Sequence, residues 1–597
     1  MGPPFGEAPS LGADALRVLE ARYLRRDDTG RVIESPAELF ARVARGVAEG
    51  ELLTGTARAA ARWEERFHAL LATLDFLPNS PVLMNAGTPL GQLAACFVVP
   101  VGDSMEEIFD ALRAMALVQR TGGGTGFSFS RLRPRGEVVA STGGSASGPV
   151  SFMRVFDAAT EHIKQGGRRR GANMAVLRVD HPDVLEFVES KRDGTSLQNF
   201  NLSVGVTDRF MAAVVADARC ELVHPGRGTA TASLRAREVF DRIVEAAWAT
   251  GDPGLVFLDA VERANPTPAL GEIETTNPCG EVPLLPWESC VLGSVNLAHM
   301  IATEGGSTTV DWRRLARTVR AAVRFLDDVI EVSREPLAEI GRATRRTRKI
   351  GVGVMGFAEL LVRLGVSYGE RAAVAWADRL SAFVAQEARV ASRELAEERG
   401  VFPAWGRSAH AARGERLRNA TLLSVAPTGT ISIVAGTSGG IEPLFALAYR
   451  RAHTLGGAPF AELNPVFRAW LESQGLDAAP LLAGVVAEGH LGRVAGAPAA
   501  ARALFVTATE LPPSQHLAVQ AAVQRHVDNA VSKTVNLPEE ARPDEVAATY
   551  LEAWRLGLKG VTIYRAGSRD QVFELGMGER AIGRELFARC DPDACRL

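Results

Sequence analysis

The chain has 597 residues, of which 46% are hydrophobic and 23% are charged. These fractions are average for globular proteins, so they exclude a wholly disordered chain. The 67 lysines and arginines nearly balance the 70 acidic residues, which argues against a protein whose main partner is nucleic acid. At roughly 100–200 residues per domain, the length fits about three to five domains, or one large barrel with attachments.

The chain contains no apolar stretch long enough to cross a membrane and no signal-peptide core at its start, so we predict a cytoplasmic protein. It has six cysteines, which are too few for a disulfide scaffold of this size. In a reducing compartment, the cysteines that matter are catalytic, redox-active or metal-binding. They are Cys96, Cys220, Cys279, Cys290, Cys590 and Cys595.

The first 75 residues have helical spacing, with Ser35 and Pro36 placed as a cap and a first-turn residue. After residue 75, strand-like and helix-like patterns alternate, which predicts an α/β architecture. The predicted helices are 13–23, 35–50, 56–74, 105–119, 183–190, 237–250, 311–332, 370–399, 517–530 and 543–557. The predicted strands are 94–101, 175–179, 201–206, 291–297, 421–425 and 561–564.

Three stretches stand apart from this alternation. The glycine-rich tract 121–126 follows a helix and not a strand, so we interpret it as a tight structural turn and not a dinucleotide-binding motif. Residues 478–501 are rich in Ala, Gly and Pro, which is typical of a surface excursion. The residues from 574 onward predict a mobile tail.

The segment Asn277-Pro278-Cys279-Gly280-Glu281 carries the strongest chemical signal. The proline disfavours helix at the residue before it, and the glycine permits a tight turn. We therefore expect a short exposed loop that presents an amide, a thiol and a carboxylate at alternate positions, a set suited to coupled hydrogen and proton transfer. The composition of this loop leaves a buried structural cysteine open as the alternative.

Two further segments have weaker signals. Residues 427–432, PTGTIS, could form a phosphate cradle of backbone amides and hydroxyls before a helix, although Thr/Gly turns are common. Residues 166–171, GGRRRG, form either a mobile anion-binding loop or a solvated basic loop.

The cysteine motif and its neighbours resemble the ribonucleotide reductase family, in particular its adenosylcobalamin-dependent branch, class II. The resemblance includes NPCGE with a further cysteine eleven residues after the first, and it extends in order along the chain. The other matching segments are LPNSPVLMNAG (77–87), AACFVVPVGDSMEEIF (94–109), GGTGFSFSRLRPRG (123–136), GGRRRGANMAVLRVDHPDVLEFVESK (166–191), APTGTISIVAGTSGGIEP (426–443) and LKGVTIYRAGSRD (558–570).

The resemblance implies a role for each matched residue. Cys279 would form the thiyl radical that takes the ribose 3′ hydrogen, Glu281 would be the base on the 3′ hydroxyl, and Asn277 its hydrogen-bonding neighbour. Cys96 and Cys290 would reduce the 2′ position and end as a disulfide. Cys590 and Cys595, on the tail, would re-reduce that pair by thiol exchange.

The remaining matched positions imply the binding sites. The substrate-binding residues would be Asn79, Ser80, Pro81, Ala95, Pro427, Thr428, Gly429, Thr430, Ile431 and Ser432. The loop that links an allosteric nucleotide (a dNTP or ATP) to base choice would be Gly166, Gly167, Arg168, Arg169, Arg170 and Gly171. We predict no metal site, because the two terminal cysteines have no further ligands nearby, and we interpret Cys220 as a buried structural thiol.

The resemblance also implies the architecture: a ten-stranded α/β barrel built from two five-stranded halves. We expect a helical region at 1–75 without an ATP-binding regulatory domain, a barrel at 76–573 and a redox tail at 574–597. Without that domain, we expect no overall inhibition by dATP. A homodimer is expected because the effector site usually lies at a dimer interface, and a thioredoxin-like reductant is expected because a tail disulfide needs an exchange donor.

Three alternatives stay open. The chain could be the large subunit of an oxygen-dependent reductase, although such subunits use adjacent tyrosines and no two of its five tyrosines are adjacent. It could be a nucleotide-binding regulator that has lost catalysis, or a dithiol oxidoreductase that acts on proteins. We expect diphosphate substrates, with triphosphates as the alternative.

Overall fold

A computed structural model describes residues 11–53, 55–139, 143–165, 169–451, 460–477 and 479–568. The chain begins with three helices, Ala13–Arg22, Pro36–Ala48 and Ala57–Ala72. The predicted cap at Ser35 is present: its side chain accepts from the Glu38 amide, and the Glu38 carboxylate accepts from the Ser35 amide. These helices pack on one side of a large sheet and share its hydrophobic core.

The sheet has ten strands that we number in chain order. They are β1 (Phe76–Pro78), β2 (Cys96–Val98), β3 (Gly124–Ser128), β4 (Asn173–Arg178), β5 (Phe200–Val206), β6 (Gly254–Phe257), β7 (Ser289–Asn296), β8 (Ile350–Met355), β9 (Thr534–Leu537) and β10 (Gly560–Arg565).

The first half of the sheet is parallel throughout, in the order β2-β3-β4-β5-β6. In the second half, β7 pairs parallel with β8 and β9 pairs parallel with β10. Residues 423–425 fill the gap, because Leu423 bridges to Val352 on β8 and Val425 bridges to Val531, just before β9. This segment is the strand predicted at 421–425.

Both junctions between the halves are antiparallel, β7 with β2 and β10 with β6. The nine strands β2 to β10, together with residues 423–425, therefore close a circle of two five-stranded parallel halves, and β1 lies alongside β7 as an extra strand. The predicted ten-stranded α/β barrel is confirmed. Separate hydrophobic cores back the two halves, and smaller apolar clusters line the interior, one of them around Cys96 and Cys290.

Helices surround the barrel, as expected where parallel strands are joined by crossovers. After the N-terminal three, the α-helices are Ser80–Asn85, Met105–Arg120, Pro149–His162, Val184–Glu189, Asp208–Val215, Ala236–Thr250, Leu258–Arg263, Trp312–Val332, Ala338–Thr347, Phe357–Arg363, Arg371–Arg399, Ala409–Ala412, Gly429–Ala435, Pro465–Ser473, Ala479–Glu488, Ala499–Leu504, Pro513–Gln524 and Pro543–Arg555. Short 3-10 segments occupy Glu49–Leu53, Pro268–Leu270, Leu297–His299, Trp405–Arg407 and Ala508–Glu510.

Among the residues that the structure describes, five two-stranded hairpins lie outside the barrel sheet. They pair Lys164–Gln165 with Arg169–Arg170, Arg219–Val223 with Ala230–Arg235, Thr275–Thr276 with Pro283–Leu284, Ile301–Glu304 with Ser307–Val310, and Ala448–Arg451 with Phe460–Leu463. Within the described ranges, no helix is long and apolar enough to cross a membrane.

Three predictions from sequence need correction. The helix predicted at 517–530 is displaced: it runs Pro513–Gln524, and the residues after it join the barrel wall. The stretch 478–501 is not a surface excursion, since the helix Ala479–Glu488 buries Leu481 and Val485 in a local core. The tract 121–126 is a turn only as far as residue 123, because β3 begins at Gly124.

Candidate active site

Cys279 lies at the tip of the hairpin formed by Thr275–Thr276 and Pro283–Leu284. Gly280 turns the chain there with a φ of +82°, and its amide donates to the Asn277 carbonyl at 3.1 Å. Of the three polar residues in the motif, only Cys279 is exposed. The expectation that Asn277 and Glu281 would also be exposed is wrong, since both are buried.

The Asn277 side chain has two roles in the hairpin. Its Oδ1 accepts the Val282 amide at 2.9 Å, which closes the turn across its base. Its Nδ2 donates to the sulfur of Cys96 at 3.1 Å. The Oε1 of Glu281 lies 4.0 Å from the same sulfur. The amide and the carboxylate predicted to act beside Cys279 therefore also contact Cys96, which is 183 residues earlier in the chain (279 minus 96).

Cys96 and Cys290 are direct partners across the antiparallel junction between β2 and β7. Such partners have Cβ atoms about 4.5–5.5 Å apart, close to the separation that a disulfide needs. Both thiols are buried in the barrel interior, and both are reduced in this structure. Burial raises the pKa of the Cys290 thiol well above its usual range, so at neutral pH it carries its proton.

Both halves of the barrel hold the hairpin. From the first half, the Nδ2 of Asn201 on β5 donates to the Pro278 carbonyl at 2.8 Å. From the second half, the Ser424 hydroxyl and the Ala530 amide donate to the Glu281 carbonyl at 2.8 and 2.9 Å. The two residues that flank Cys279 and Gly280 are thus fixed to opposite walls. Neither Asn201 nor Ser424 lies in a recognisable chemical motif, so the sequence carries no signal for either role.

Two glycines on β3 let the hairpin lie against the strand. A Cβ at Gly126 would clash with the Thr276 carbonyl, and one at Gly124 would lie 2.8 Å from the Pro278 ring. The Gly-rich tract that we interpreted as a structural turn therefore provides a surface without side chains under the Cys279 hairpin.

The predicted substrate residues occupy two segments. The Asn79 side chain caps the helix Ser80–Asn85 by accepting the Val82 amide. The Asn79 backbone amide donates to the Leu292 carbonyl on β7. Pro81 is buried in that helix, and Ala95 immediately precedes Cys96. The first segment is therefore attached to the strand that carries Cys290.

The second segment, 427–432, leads into the helix Gly429–Ala435, as the pattern predicted. Thr428, the residue before this helix, has a φ of +54°, and its Oγ1 accepts the Gly440 amide at 2.8 Å. A Cβ at Gly429 would meet no atom within 4 Å, so there is open space at the helix start. Ile431 and Ser432 are buried, whereas Pro427 is half-buried.

The first helix of the chain links these two segments. The Tyr23 hydroxyl lies 2.8 Å from the Ser80 hydroxyl, and the Arg22 guanidinium donates to Thr430 Oγ1 at 3.1 Å. Two adjacent residues therefore connect segments that are 350 residues apart (430 minus 80). The helical pattern at 13–23 predicted the helix but carried no signal of this contact.

The other predicted residues are only partly described. Gly166, Gly167 and Arg168 lie outside the described residues, as do Cys590 and Cys595. Arg169 and Arg170 form one strand of a short hairpin, and a Cβ at Gly171 would contact the buried Gln119 side chain. Cys220 is half-buried on the strand Arg219–Val223, so its interpretation as a buried thiol needs correction.

The site was also tested for a metal and for the implied cofactor. In the part of the chain that the structure describes, no three His, Cys, Asp or Glu side chains are grouped to hold a metal ion. A cobalamin brings its own metal, so the requirement on the protein is an accessible thiol. Cys279 is exposed, and a Cβ at Gly280 would meet no atom within 4 Å, so the hairpin tip fits such a group.

Comparisons with known proteins match nearly the whole chain. Residues 94–564 match the family model described as ribonucleotide reductase, barrel domain, and residues 10–91 match ribonucleotide reductase, all-alpha domain. A solved structure, the class Id ribonucleotide reductase alpha subunit of Actinobacillus ureae, aligns with a TM-score of 0.74. It is 23% identical, and the alignment covers 93% of this chain and 97% of that one, which supports the fold.

Curated relatives are more similar in sequence. A vitamin B12-dependent ribonucleoside-diphosphate reductase of Mycobacterium tuberculosis is 54% identical over 98% of this chain and 83% of its own length. Another protein with the same name, from Thermoplasma acidophilum, is 44% identical over 95% of this chain and 81% of its own length.

Proposed function

The chain belongs to the ribonucleotide reductase family, and from that premise we propose that it reduces ribonucleoside diphosphates to 2′-deoxyribonucleotides with adenosylcobalamin as cofactor. The observation that carries the proposal is the placement of three thiols. Cys279 is exposed at the hairpin tip, while Cys96 and Cys290 face each other in the buried wall beside it. This arrangement supports a role for the exposed thiol in starting radical chemistry and a role for the buried pair in supplying its electrons.

In this proposal Cys279, as a thiyl radical, removes the 3′ hydrogen of the ribose and later returns it. Glu281 takes the proton of the 3′ hydroxyl, and Asn277 holds the neighbouring polar groups in place. The hydrogen bonds from Asn201 and Ser424 to the hairpin backbone support this, because they fix the loop that carries all three side chains.

Cys96 and Cys290 supply two protons and two electrons. The 2′ hydroxyl leaves as water, a hydrogen takes its place, and the two sulfurs join as a disulfide, so that the atoms and electrons balance. Their direct cross-strand pairing supports the step, since a bond between them requires little movement of the backbone.

Adenosylcobalamin, when bound, supplies the radical that is passed to Cys279. The chain's own part is to present that thiol at an open hairpin tip while it keeps the reducing pair buried. Burial excludes water from the carbon atoms that carry the unpaired electron.

We assign the substrate diphosphate to residues 427–432, with Asn79, Ser80, Pro81 and Ala95 lining the same pocket. The first-turn amides of the helix Gly429–Ala435 and the Thr430 hydroxyl supply donors suited to phosphate. The links from Tyr23 and Arg22 support a single pocket, because they hold the two segments to one helix.

A homodimer is part of the proposal. Met105 and Phe109, on the helix Met105–Arg120, are 55% and 48% exposed, and Val155, on Pro149–His162, is 40% exposed. Large apolar side chains exposed on two helices of the same barrel half are suited to covering by a second copy. The family binds nucleotide effectors as well as substrates, and we assign the effector-dependent loop to residues 166–171.

We further propose that Cys590 and Cys595 re-reduce the Cys96–Cys290 disulfide and are themselves reduced by a thioredoxin-like dithiol protein. This divides the chain into a helical region at 1–75, a barrel at 76–573 and a redox tail at 574–597.

The test is reduction of CDP or ADP by the purified chain with dithiothreitol, with and without adenosylcobalamin, and with no second subunit. We expect turnover only with the cofactor. Cys279→Ser should abolish turnover and leave nucleotide binding intact, whereas Cys220→Ser should leave both turnover and binding intact. Turnover that requires a second subunit, or turnover that survives Cys279→Ser, would overturn the proposal. A preference for triphosphates would correct the substrate class alone.

A further inference from the structure

Lys349 is the cross-strand neighbour of Cys290 on the side opposite Cys96. Val291 on β7 pairs with Ile350 on β8 in parallel register, so Cys290 and Lys349, one residue earlier on each strand, are neighbours. Cys290 also pairs with Cys96 on its other side. Paired residues of a sheet point to the same face, so the side chains of Cys96, Cys290 and Lys349 leave one face, across β2, β7 and the residue that precedes β8.

The ammonium of Lys349 is buried and held in place. Its Nζ donates to Glu288 Oε2 at 2.6 Å, and both side chains are at most 3% exposed. Glu288 also accepts the Thr347 hydroxyl at 2.7 Å and the Leu285 amide at 2.8 Å. An ion pair buried this completely costs desolvation energy, which makes a purely stabilising role a weak explanation for it.

The charges around the two cysteines are unequal. The Glu281 carboxylate lies 4.0 Å from the Cys96 sulfur, so a thiolate on Cys96 would face a like charge. For Cys290, burial raises the thiol pKa, Glu288 and Glu281 add to the rise, and the Lys349 ammonium opposes it. The Lys349 ammonium therefore offsets part of the cost of a thiolate on Cys290, whereas Cys96 has the Asn277 amide as a hydrogen-bond donor and the Glu281 carboxylate as a like charge.

We propose that Lys349 is a positioning residue for the reductive half of the cycle: it stabilises Cys290 as the leaving thiolate, and Cys96 is the sulfur that the reductant attacks. The inference rests on the proposed function, in which Cys96 and Cys290 form a disulfide. Beyond that function, it specifies which sulfur is attacked and which leaves during re-reduction, and it gives a role to a residue outside the predicted site.

The exchange runs in two balanced steps. A thiolate of the reducing dithiol attacks Cys96, a sulfur–sulfur bond forms between them, and the Cys96–Cys290 bond breaks with its electron pair on Cys290. Cys290 then takes a proton. The second thiol of the reductant, as a thiolate, attacks its partner sulfur, and Cys96 leaves and is protonated. The reductant ends as a disulfide and both enzyme cysteines end as thiols.

The first test needs no variant. The protein is oxidised with diamide, mass spectrometry confirms the Cys96–Cys290 disulfide, and excess glutathione is added and quenched with acid. The mixed disulfide should map to the peptide that contains Cys96. Glutathione mapped to Cys290 would overturn the inference.

The second test measures the rate at which dithiothreitol reduces the same disulfide. Loss of one nearby charge in a buried site should slow Lys349→Met by about tenfold, and Lys349→Arg should restore most of the rate. Lys191→Met is the matched control, because Lys191 forms a buried ion pair with Asp252 at 2.8 Å away from the cysteines. It should leave the rate unchanged.

Equal rates for wild type and Lys349→Met would overturn the inference, and so would equal slowing in Lys191→Met. Neither result would bear on the proposed function, since the assay involves no turnover. If the wild-type enzyme instead turned over without forming a Cys96–Cys290 disulfide, the proposed function would fail first.

Discussion

The Asn201 side chain donates a 2.8 Å hydrogen bond to the Pro278 carbonyl, one residue before Cys279. Asn201 lies on β5, where it pairs with Met174 on β4; from Ser203 onward β5 also pairs with β6, so the strand that carries Asn201 is held on both sides. This bond attaches the hairpin that carries Cys279 to the wall of the barrel. The position of the hairpin therefore does not depend on its own short strands alone.

Asn201→Ala should therefore lower kcat more than it alters KM. Without the amide, the Pro278 carbonyl loses its partner and the hairpin tip gains freedom, for a loss of about tenfold in kcat. Steady-state kinetics on the cofactor-loaded enzyme measure the split. Gln198→Ala is the control, because that exposed amide bonds only within its own loop. An unchanged kcat in Asn201→Ala would show that the hairpin holds its position without this bond.

Gly126→Ala should disable the site while leaving the barrel intact. The new Cβ would clash with the Thr276 carbonyl, a backbone atom that cannot rotate away, so the hairpin must lift from β3. We expect a loss of at least about a hundredfold in turnover, since displacement of about 1 Å has that effect on reacting groups. Gly406→Ala is the control, because a Cβ there meets no atom within 4 Å. Full activity in Gly126→Ala would mean that the hairpin is not held against the strand.

The sequence was sufficient to predict many of the helices and strands, because each is a local pattern with its own period and caps. The long helix predicted at 370–399 is Arg371–Arg399 in the structure. The missed strands show the limit of such patterns. In β8, Gly351 and Gly353 replace the expected β-branched residues, because a Cβ at either would clash with residue 424 on the next segment of the barrel.

The candidate site divides in the same way. Cys279, Cys96 and Cys290 were found because a thiol carries its chemistry in its own side chain. Asn201 and Lys349 were missed, because each matters only through a contact with a residue distant in the chain. Strand register decides those contacts, and register is a property of the assembled sheet that no local pattern states.

Tyr23→Phe should weaken substrate binding and leave the chemical step nearly unchanged. The variant loses the hydrogen bond between Tyr23 and Ser80, so the segment that carries Asn79 is held less firmly. One hydrogen bond of this kind corresponds to a rise in KM of about three- to tenfold. Substrate titration measures it, with Arg17→Ala as control because Arg17 only pairs with exposed Asp14 on the same helix. A fall in kcat at constant KM would place Tyr23 in the reaction and not in binding.

Phe109→Glu should convert the expected dimer to a monomer. Phe109 and Met105 are exposed on one helix and Val155 on the helix that packs beside it, and a buried unpaired carboxylate at an interface costs several kcal/mol. Light scattering after size-exclusion chromatography gives the mass directly. Leu53→Glu is the matched control: Leu53 is 65% exposed on the N-terminal helical region and should leave the mass unchanged. A dimer that survives Phe109→Glu would locate the interface elsewhere.

Glu335 should make the folded state less stable as the pH rises. One oxygen of its carboxylate accepts the Ser333 hydroxyl at 2.9 Å, while the other is buried and has no hydrogen-bond partner among the described residues. Burial raises the pKa of this carboxyl from 4.5 to about 7. Between those values the folded chain holds a proton that the unfolded chain has released, so stability is full below the lower value and falls as the pH rises through the higher one.

Glu335→Gln stays neutral at every pH and should lose this dependence. At about 1.4 kcal/mol for each pKa unit, the wild type should lose up to about 3 kcal/mol relative to the variant between pH 5 and pH 8. Thermal melting of both proteins at the two pH values measures the difference. Glu339→Gln is the control, because the Glu339 side chain is 47% exposed and a backbone hydrogen bond holds its pKa below the usual value. If wild type and Glu335→Gln change in parallel, the Glu335 carboxyl is solvated and titrates near its ordinary value. If the gap widens with rising pH, a neutral carboxylic acid is part of the fold at the junction after the helix Trp312–Val332.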